Sequence, residues 1–190
     1  MKNAVMVHGM PDKEEWDRFN GDLKAFGHWM IWLGEELSHR GIEVVIPSMP
    51  LAYDPKYEAW KSVFEQYEIT PETILIGHSC GAGFLVRWIS ETKRQVGQVV
   101  LVAPWMDPTK EYTTEMFDDC TIDPDMVSRC AACTVIYSID DDKGVITTVN
   151  KLKACLPQAV FKEYSDKGHF TLEDMKTHAF PELLGVLGLD

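Results

Sequence analysis

Thr73-Ile74-Leu75-Ile76-Gly77-His78-Ser79-Cys80-Gly81-Ala82-Gly83 passes from β-forming apolar residues into small ones, with a serine at the junction. Four apolar or β-branched residues predict a buried strand, and the small residues predict the first turn of a helix packed closely against it. A serine held on so sharp a strand-to-helix turn takes a strained backbone conformation that exposes its hydroxyl. Side chains two positions to either side would strike neighbouring backbone, and glycine stands at both, Gly77 and Gly81. Ser79 is therefore the candidate catalytic nucleophile.

Around this turn, short β-forming runs alternate with helical stretches. Strands are expected at Ala4 to Val7, Glu43 to Ile46, Thr73 to Ile76, Gln98 to Ala103, Thr134 to Tyr137 and Ala159 to Tyr164. Helices are expected at His28 to Arg40, Pro55 to Tyr67, Phe84 to Lys93, Val145 to Leu156 and Leu172 to Leu187. The first carries Trp29, Trp32, Leu33 and Leu37 at helical spacing and stops at Gly41. Such alternation predicts an α/β fold: a mostly parallel sheet of about six strands, covered by helices on both faces as a three-layer sandwich. Sites in these sheets gather at the carboxyl ends of strands, where Met10, Ser79, Asp107, Asp142 and His169 all fall.

The 190 residues suffice for one well-buried core, and no linker divides them, so a single domain over 1–190 is expected. A formal charge of −12 disfavours nucleic acid and anionic membranes as partners. No apolar run approaches the ~20 residues that span a bilayer, no targeting segment is visible, and the expected location is cytoplasmic. Five cysteines, an odd number, are expected as thiols. Cys130-Ala-Ala-Cys133 leads into a strand rather than opening a helix, so it reads as a pair of buried bystanders. The segment 107–132 is a candidate small cap, and its aspartates lack the regular spacing of a calcium loop. No metal or organic cofactor is expected.

A serine hydroxyl needs a base to take its proton and an acid to hold that base. His169, in Lys167-Gly168-His169-Phe170 after the last strand, suits the chain order serine, acid, histidine. His78 should point elsewhere, while packing or surface roles suffice for His8, His28, His39 and His178. Of the carboxylates Asp140, Asp141 and Asp142 after the fifth strand, Asp142 is favoured because it precedes Val145 in a D-x-x-V arrangement; Asp140 and Asp141 read as solvated neighbours. Asp107, after the preceding strand, is the rival acid. Backbone amides of Met10, following His8-Gly9, and Cys80 are the expected oxyanion donors. Trp16, Trp105, Met106 and Phe117 are candidates for an acyl pocket, with Trp105 and Phe117 the substrate-binding pair.

Together the early strand and Gly loop, His28-Trp29-Met30-Ile31-Trp32, the Gly-His-Ser elbow, Val99 to Val102, the Asp140 to Asp142 run and Gly168-His169-Phe170 resemble one known family. It is the small serine-hydrolase family of the α/β-hydrolase fold that includes retinoblastoma-binding protein nine and YdeN-like bacterial proteins. The resemblance spans nearly the whole chain. It implies a compact α/β-hydrolase fold with little or no lid and a Ser-Asp-His triad at Ser79, Asp142 and His169, with Asp141 as the acid if the loop carries an insertion. The family's Asp-Pro or Asp-x-x-Val-Pro after the acid is replaced here by Asp142-Lys143-Gly144-Val145-Ile146. Its pocket-protein binding motif Leu-x-Cys-x-Glu is absent, the corresponding residues being Phe64-Glu65-Gln66-Tyr67-Glu68. The expected activity is hydrolysis of a small ester, thioester or amide acyl substrate. A non-catalytic interaction module on the same fold is the alternative, and a C–C hydrolase or acyltransferase would use the same three residues.

Overall fold

Continuous apolar runs, rather than alternating ones, mark strands covered on both faces, and three such runs form the centre of the sheet. The computed structural model describes residues 2–19, 21–22, 28–110, 112 and 115–190. Six parallel strands lie in the order β2-β1-β3-β4-β5-β6. They are β1 (Asn3–Val7), β2 (Glu43–Val45), β3 (Ile74–His78), β4 (Val96–Val102), β5 (Cys130–Ser138) and β6 (Val160–Tyr164). Ala4 to Val7 and Ile74 to Ile76 are wholly buried, whereas edge strand β6 exposes Val160 and places Lys162 and Glu163 outward, which discourages pairing with another chain.

Helices cover both faces: α1 (Lys13–Arg18), α2 (Trp29–His39), α3 (Tyr57–Phe64), α4 (Cys80–Thr92), α5 (Lys143–Cys155), α6 (Leu172–Met175) and α7 (Glu182–Leu187). Phe64 of α3 packs edge-on against Phe84 and Trp88 of α4, with ring centroids 5.3 and 4.9 Å apart. Trp29 of α2 meets Phe180, just before α7, at 5.8 Å.

Two helical expectations differ from the structure. The stretch 172–187 is not one helix: a capping box between Thr171 and Asp174 starts α6, Lys176 turns left-handed to end it, and Pro181 restarts the chain as α7. Helix α1 has no counterpart in the sequence pattern because it buries no residue and so carries no apolar period. The described part of 107–132 holds two 3₁₀ turns, at Glu115–Phe117 and Met126–Arg129. Met116, Ile122 and Met126 are buried, and the segment is tied to α4 by Arg87 donating to Met116 O at 2.7 Å and Asp123 N–H donating to Ser90 Oγ at 3.0 Å.

Cys130 and Cys133 both lie in β5, where residues three apart point to opposite faces. Burial pushes their thiols up to about 11 and about 12. That is the chemistry of inert packing cysteines.

Candidate active site

The chain reverses its direction of travel across the sheet between β1 and β3, so the loops leaving these adjacent strands diverge and open a crevice at their carboxyl ends. Ser79 leaves β3 there with φ 53° and ψ −122°, a conformation costing of order 1–3 kcal/mol that the surroundings hold. Its N–H donates to Val102 O at 2.9 Å, and its C=O accepts from Gly83 N–H and Trp105 N–H, each at 3.1 Å. A Cβ on Gly77 would stand 2.5 Å from Ala82 Cα, and one on Gly81 2.2 Å from Val7 O. Both glycines are therefore required by contact with backbone.

Met10 follows β1. His8 donates from Nδ1 to Gly9 O at 2.8 Å and accepts at Nε2 from Met49 N–H at 3.2 Å; the second bond fixes the proton on Nδ1. Carbonyl and N–H of a trans peptide point in opposite directions, so holding Gly9 O turns Met10 N–H away from His8. A Cβ on Gly9 would stand 3.0 Å from Ser79 Cβ. Cys80 is the first residue of α4, where N–H groups have no partner within the helix. Its thiol is wholly buried and pushed upward by that burial, which leaves only its amide for chemistry.

The three consecutive aspartates after β5 do three different things. Asp140 accepts from Ser138 Oγ and from Gly168 N–H, fastening the β6–α6 loop to the end of β5. Asp141, with its side chain 1% exposed, accepts from His169 Nδ1 at 2.9 and 3.1 Å through its two oxygens. Asp142 caps α5 by accepting from Gly144 N–H at 2.7 Å. The acid opposite His169 is thus Asp141, not the favoured Asp142: a carboxylate engaged as helix cap faces the first turn of α5, one residue past the histidine's partner. The rival Asp107 is buried after β4 with φ 43°, and it is Asp141 that bonds His169.

His169 is also held through its backbone. Its N–H donates to Asp174 Oδ2 at 2.9 Å, and its C=O accepts from His78 Nε2 at 2.8 Å. Gly168, at φ +48°, passes Asp174 so closely that a Cβ would lie 2.5 Å from the carboxyl carbon. The sequence placed neither Asp174, although the Thr171/Asp174 spacing is a helix-start signal, nor His28 and His78 at the site; the structure sets them beside it. Burial pushes His8 down to about 4, His28 to about 3, and His78 well below its usual value.

Two clefts meet at Ser79, Met10 and His169. The first, of about 160 Å³, is walled by His8, Trp16, His28, His78 and Leu172. The second, wider at about 370 Å³, is walled by Trp105, Tyr112, Asp142, Val145 and Asp174. Trp105 lines the second cleft. Phe117 does not: it backs Trp105 at 5.8 Å and presses on Gly83, whose Cβ would meet its ring at 2.8 Å. Among the described residues, no group of three or more His, Cys, Asp or Glu side chains is arranged to hold a metal ion.

The sequence profile of the serine hydrolase family matches residues 21–187. The chain belongs to that family. This serine hydrolase family member is 28% identical over 166 residues to YdeN of Bacillus subtilis (strain 168), covering 84% of this chain and 86% of that protein. The crystal structure of the B. subtilis ydeN gene product superposes with a TM-score of 0.78 at 23% identity, over 99% of this chain and 97% of the other. An esterase domain from a Rhodothermus marinus protein superposes at 0.65 and 17% identity, over 99% and 86%. These likenesses establish the compact α/β-hydrolase fold; within it, the family member described here is a hydrolase. No described helix is long and apolar enough to cross a membrane.

Proposed function

We propose that Ser79 is the nucleophile of a carboxylesterase-like serine hydrolase acting on a small ester, thioester or amide. His169 takes the Ser79 proton at Nε2 as the hydroxyl attacks the carbonyl carbon, then returns it to the leaving group; water repeats the cycle on the acyl-enzyme. Asp141 keeps the other proton on Nδ1 and stabilises the imidazolium. Met10 and Cys80 amides receive the oxyanion, a contribution of about 10² to 10³ in kcat per donor. The observation that carries this reading is the strained Ser79 sharing a cleft with a histidine whose Nδ1 is bonded to a buried carboxylate.

The first cleft suits the acyl group. Besides His169, three histidines wall it, yet every ring nitrogen of His8, His28 and His78 is engaged within the protein, so these three rings offer the substrate their C–H edges. A cavity of about 160 Å³ is the size that admits a benzene-like group, which favours a short apolar acyl chain. The leaving group then occupies the second, more open cleft. All five cysteines are free thiols, which suits the reducing cytoplasm as the place of action.

Fluorophosphonate labelling beside p-nitrophenyl acetate and butyrate turnover tests the proposal. Wild type should label and turn over, and Ser79→Ala should do neither. A folded wild type that neither labels nor hydrolyses any ester would instead support a binding module on a hydrolase fold.

A further inference from the structure

Four groups beside the site form a hydrogen-bonded line with a fixed direction. Met30 N–H, in the first turn of α2, meets His28 Nδ1 at 3.2 Å. His28 Nε2 meets His78 Nδ1 at 3.1 Å, and His78 Nε2 meets His169 O at 2.8 Å. The first group can only donate and the last can only accept, so every proton between them is determined. His28 Nδ1 accepts, His28 Nε2–H donates to His78 Nδ1, and His78 Nε2–H donates to His169 C=O. Either ring in its other tautomer, or charged, would put two donors or two acceptors face to face. Burial, which holds both rings neutral, agrees with that line.

We infer that His28 and His78 form a positioning relay, in which the N-terminus of α2 sets the tautomer of His78 and His78 sets the backbone of His169. Neither ring touches the reacting atoms; they act through the main chain of the base. Displacing a base by about 1 Å can cost 10²-fold in rate. The kinetic consequence rests on the reading of His169 as that base, whereas the relay itself does not.

His28 has two duties that substitution separates. It is the N-cap of α2 as well as the donor to His78. Asn is among the best N-caps, so His28→Asn keeps the bond from Met30 but is too short to reach His78. His28→Gln reaches His78 with its amide N–H and is the poorer cap. Both substitutions remove the same ring from the wall of the first cleft, so the ratio between them reads the relay: kcat for p-nitrophenyl acetate should fall about tenfold further in His28→Asn than in His28→Gln. A kcat for His28→Asn equal to or above that of His28→Gln would reduce His28 to a cap and overturn the proposal.

Long-range ¹H–¹⁵N spectra of wild type supply a readout independent of turnover and of variant folding. At pH 7 both imidazoles should be neutral Nε2–H tautomers. An Nδ1–H tautomer or an imidazolium at either position would break the line and refute the relay, even in a protein that shows no hydrolysis.

Discussion

Asparagine in place of Asp141 should abolish most activity, and asparagine in place of Asp142 almost none, although the two residues are adjacent and chemically identical. Asp141 contributes in two ways. As an acceptor-only group it forces the proton onto His169 Nδ1, whereas an asparagine there can present its NH₂ and reverse the tautomer. In the proposed mechanism it also faces the imidazolium that forms during attack, at 2.9 and 3.1 Å from Nδ1. With an effective dielectric of about 20, unit charges 3 to 4 Å apart interact by roughly 4 to 6 kcal/mol, and each 1.4 kcal/mol is about tenfold. The expected loss in kcat for Asp141→Asn is therefore about 10³ to 10⁴, the scale on which removing the acid of a serine triad acts.

Asp142 is exposed, and its carboxylate accepts from Gly144 N–H, a duty that asparagine performs about as well. Asp142→Asn should keep kcat within about twofold and stability within ~0.5 kcal/mol. Asp107→Asn is the third arm, with activity within about fivefold of wild type, since substitutions away from the reacting groups leave transition-state contacts intact. Steady-state p-nitrophenyl butyrate kinetics and fluorophosphonate labelling rates read all three, with circular dichroism confirming the fold. A collapse at 142 or 107 with 141 spared would refute the assignment.

Gly81→Ala drives a methyl to 2.2 Å from Val7 O, a backbone atom that cannot swing aside, and should cost about 3 kcal/mol in urea denaturation; a variant as stable as wild type would contradict the close approach. Trp16→Ala, which enlarges the first cleft, should move ester preference from acetate and butyrate toward hexanoate and octanoate. Phe117→Ala, behind Trp105, should leave that preference alone and lower stability by about 2 kcal/mol. Burial pushes His8 to about 4 and His28 to about 3, while histidines of the unfolded chain titrate near 6.5. Between these values the unfolded chain binds more protons, so stability is full above about pH 6.5 and falls on acidification by up to ~1.4 kcal/mol per pH unit for each histidine. Urea unfolding at pH 7, 6 and 5 should show this slope, made shallower by one histidine's share in His28→Asn; equal slopes would exclude a neutral buried His28.

What could be read from the chain was whatever repeats along it or collides at short range. The six strands follow from apolar runs, and the turn at Ser79 from glycines whose absent side chains would strike Ala82 and Val7. Helix α1 buries nothing, so its period carried no signal. His28 and His78 are fifty residues apart in sequence, and their meeting depends on how α2 docks beside β3, which no local pattern encodes. Phe117 and Trp105 have the same aromatic character, and only packing on Gly83 separates the ring that lines the cleft from the ring behind it.

The aspartates show why a one-residue uncertainty mattered. Ile139 N–H still bonds Tyr164 O at 2.8 Å, so the β5–β6 pairing reaches one residue past Ser138 before the chain turns. Asp141 N–H then donates to Ser138 O at 3.2 Å, folding residue 141 back over the strand end while residue 142 is carried on to cap α5. Which carboxylate meets His169 is decided by where the last ladder bond forms, and composition says nothing about that. The consequence is a histidine held by three separate elements: Asp141 beyond β5 takes Nδ1–H, Asp174 of α6 takes the main-chain N–H, and His78 of β3 donates to the carbonyl. With those three bonds made, Nε2 is the ring nitrogen of His169 left for the cleft, and the placement of that ring is a property of the sheet edge rather than of any single loop.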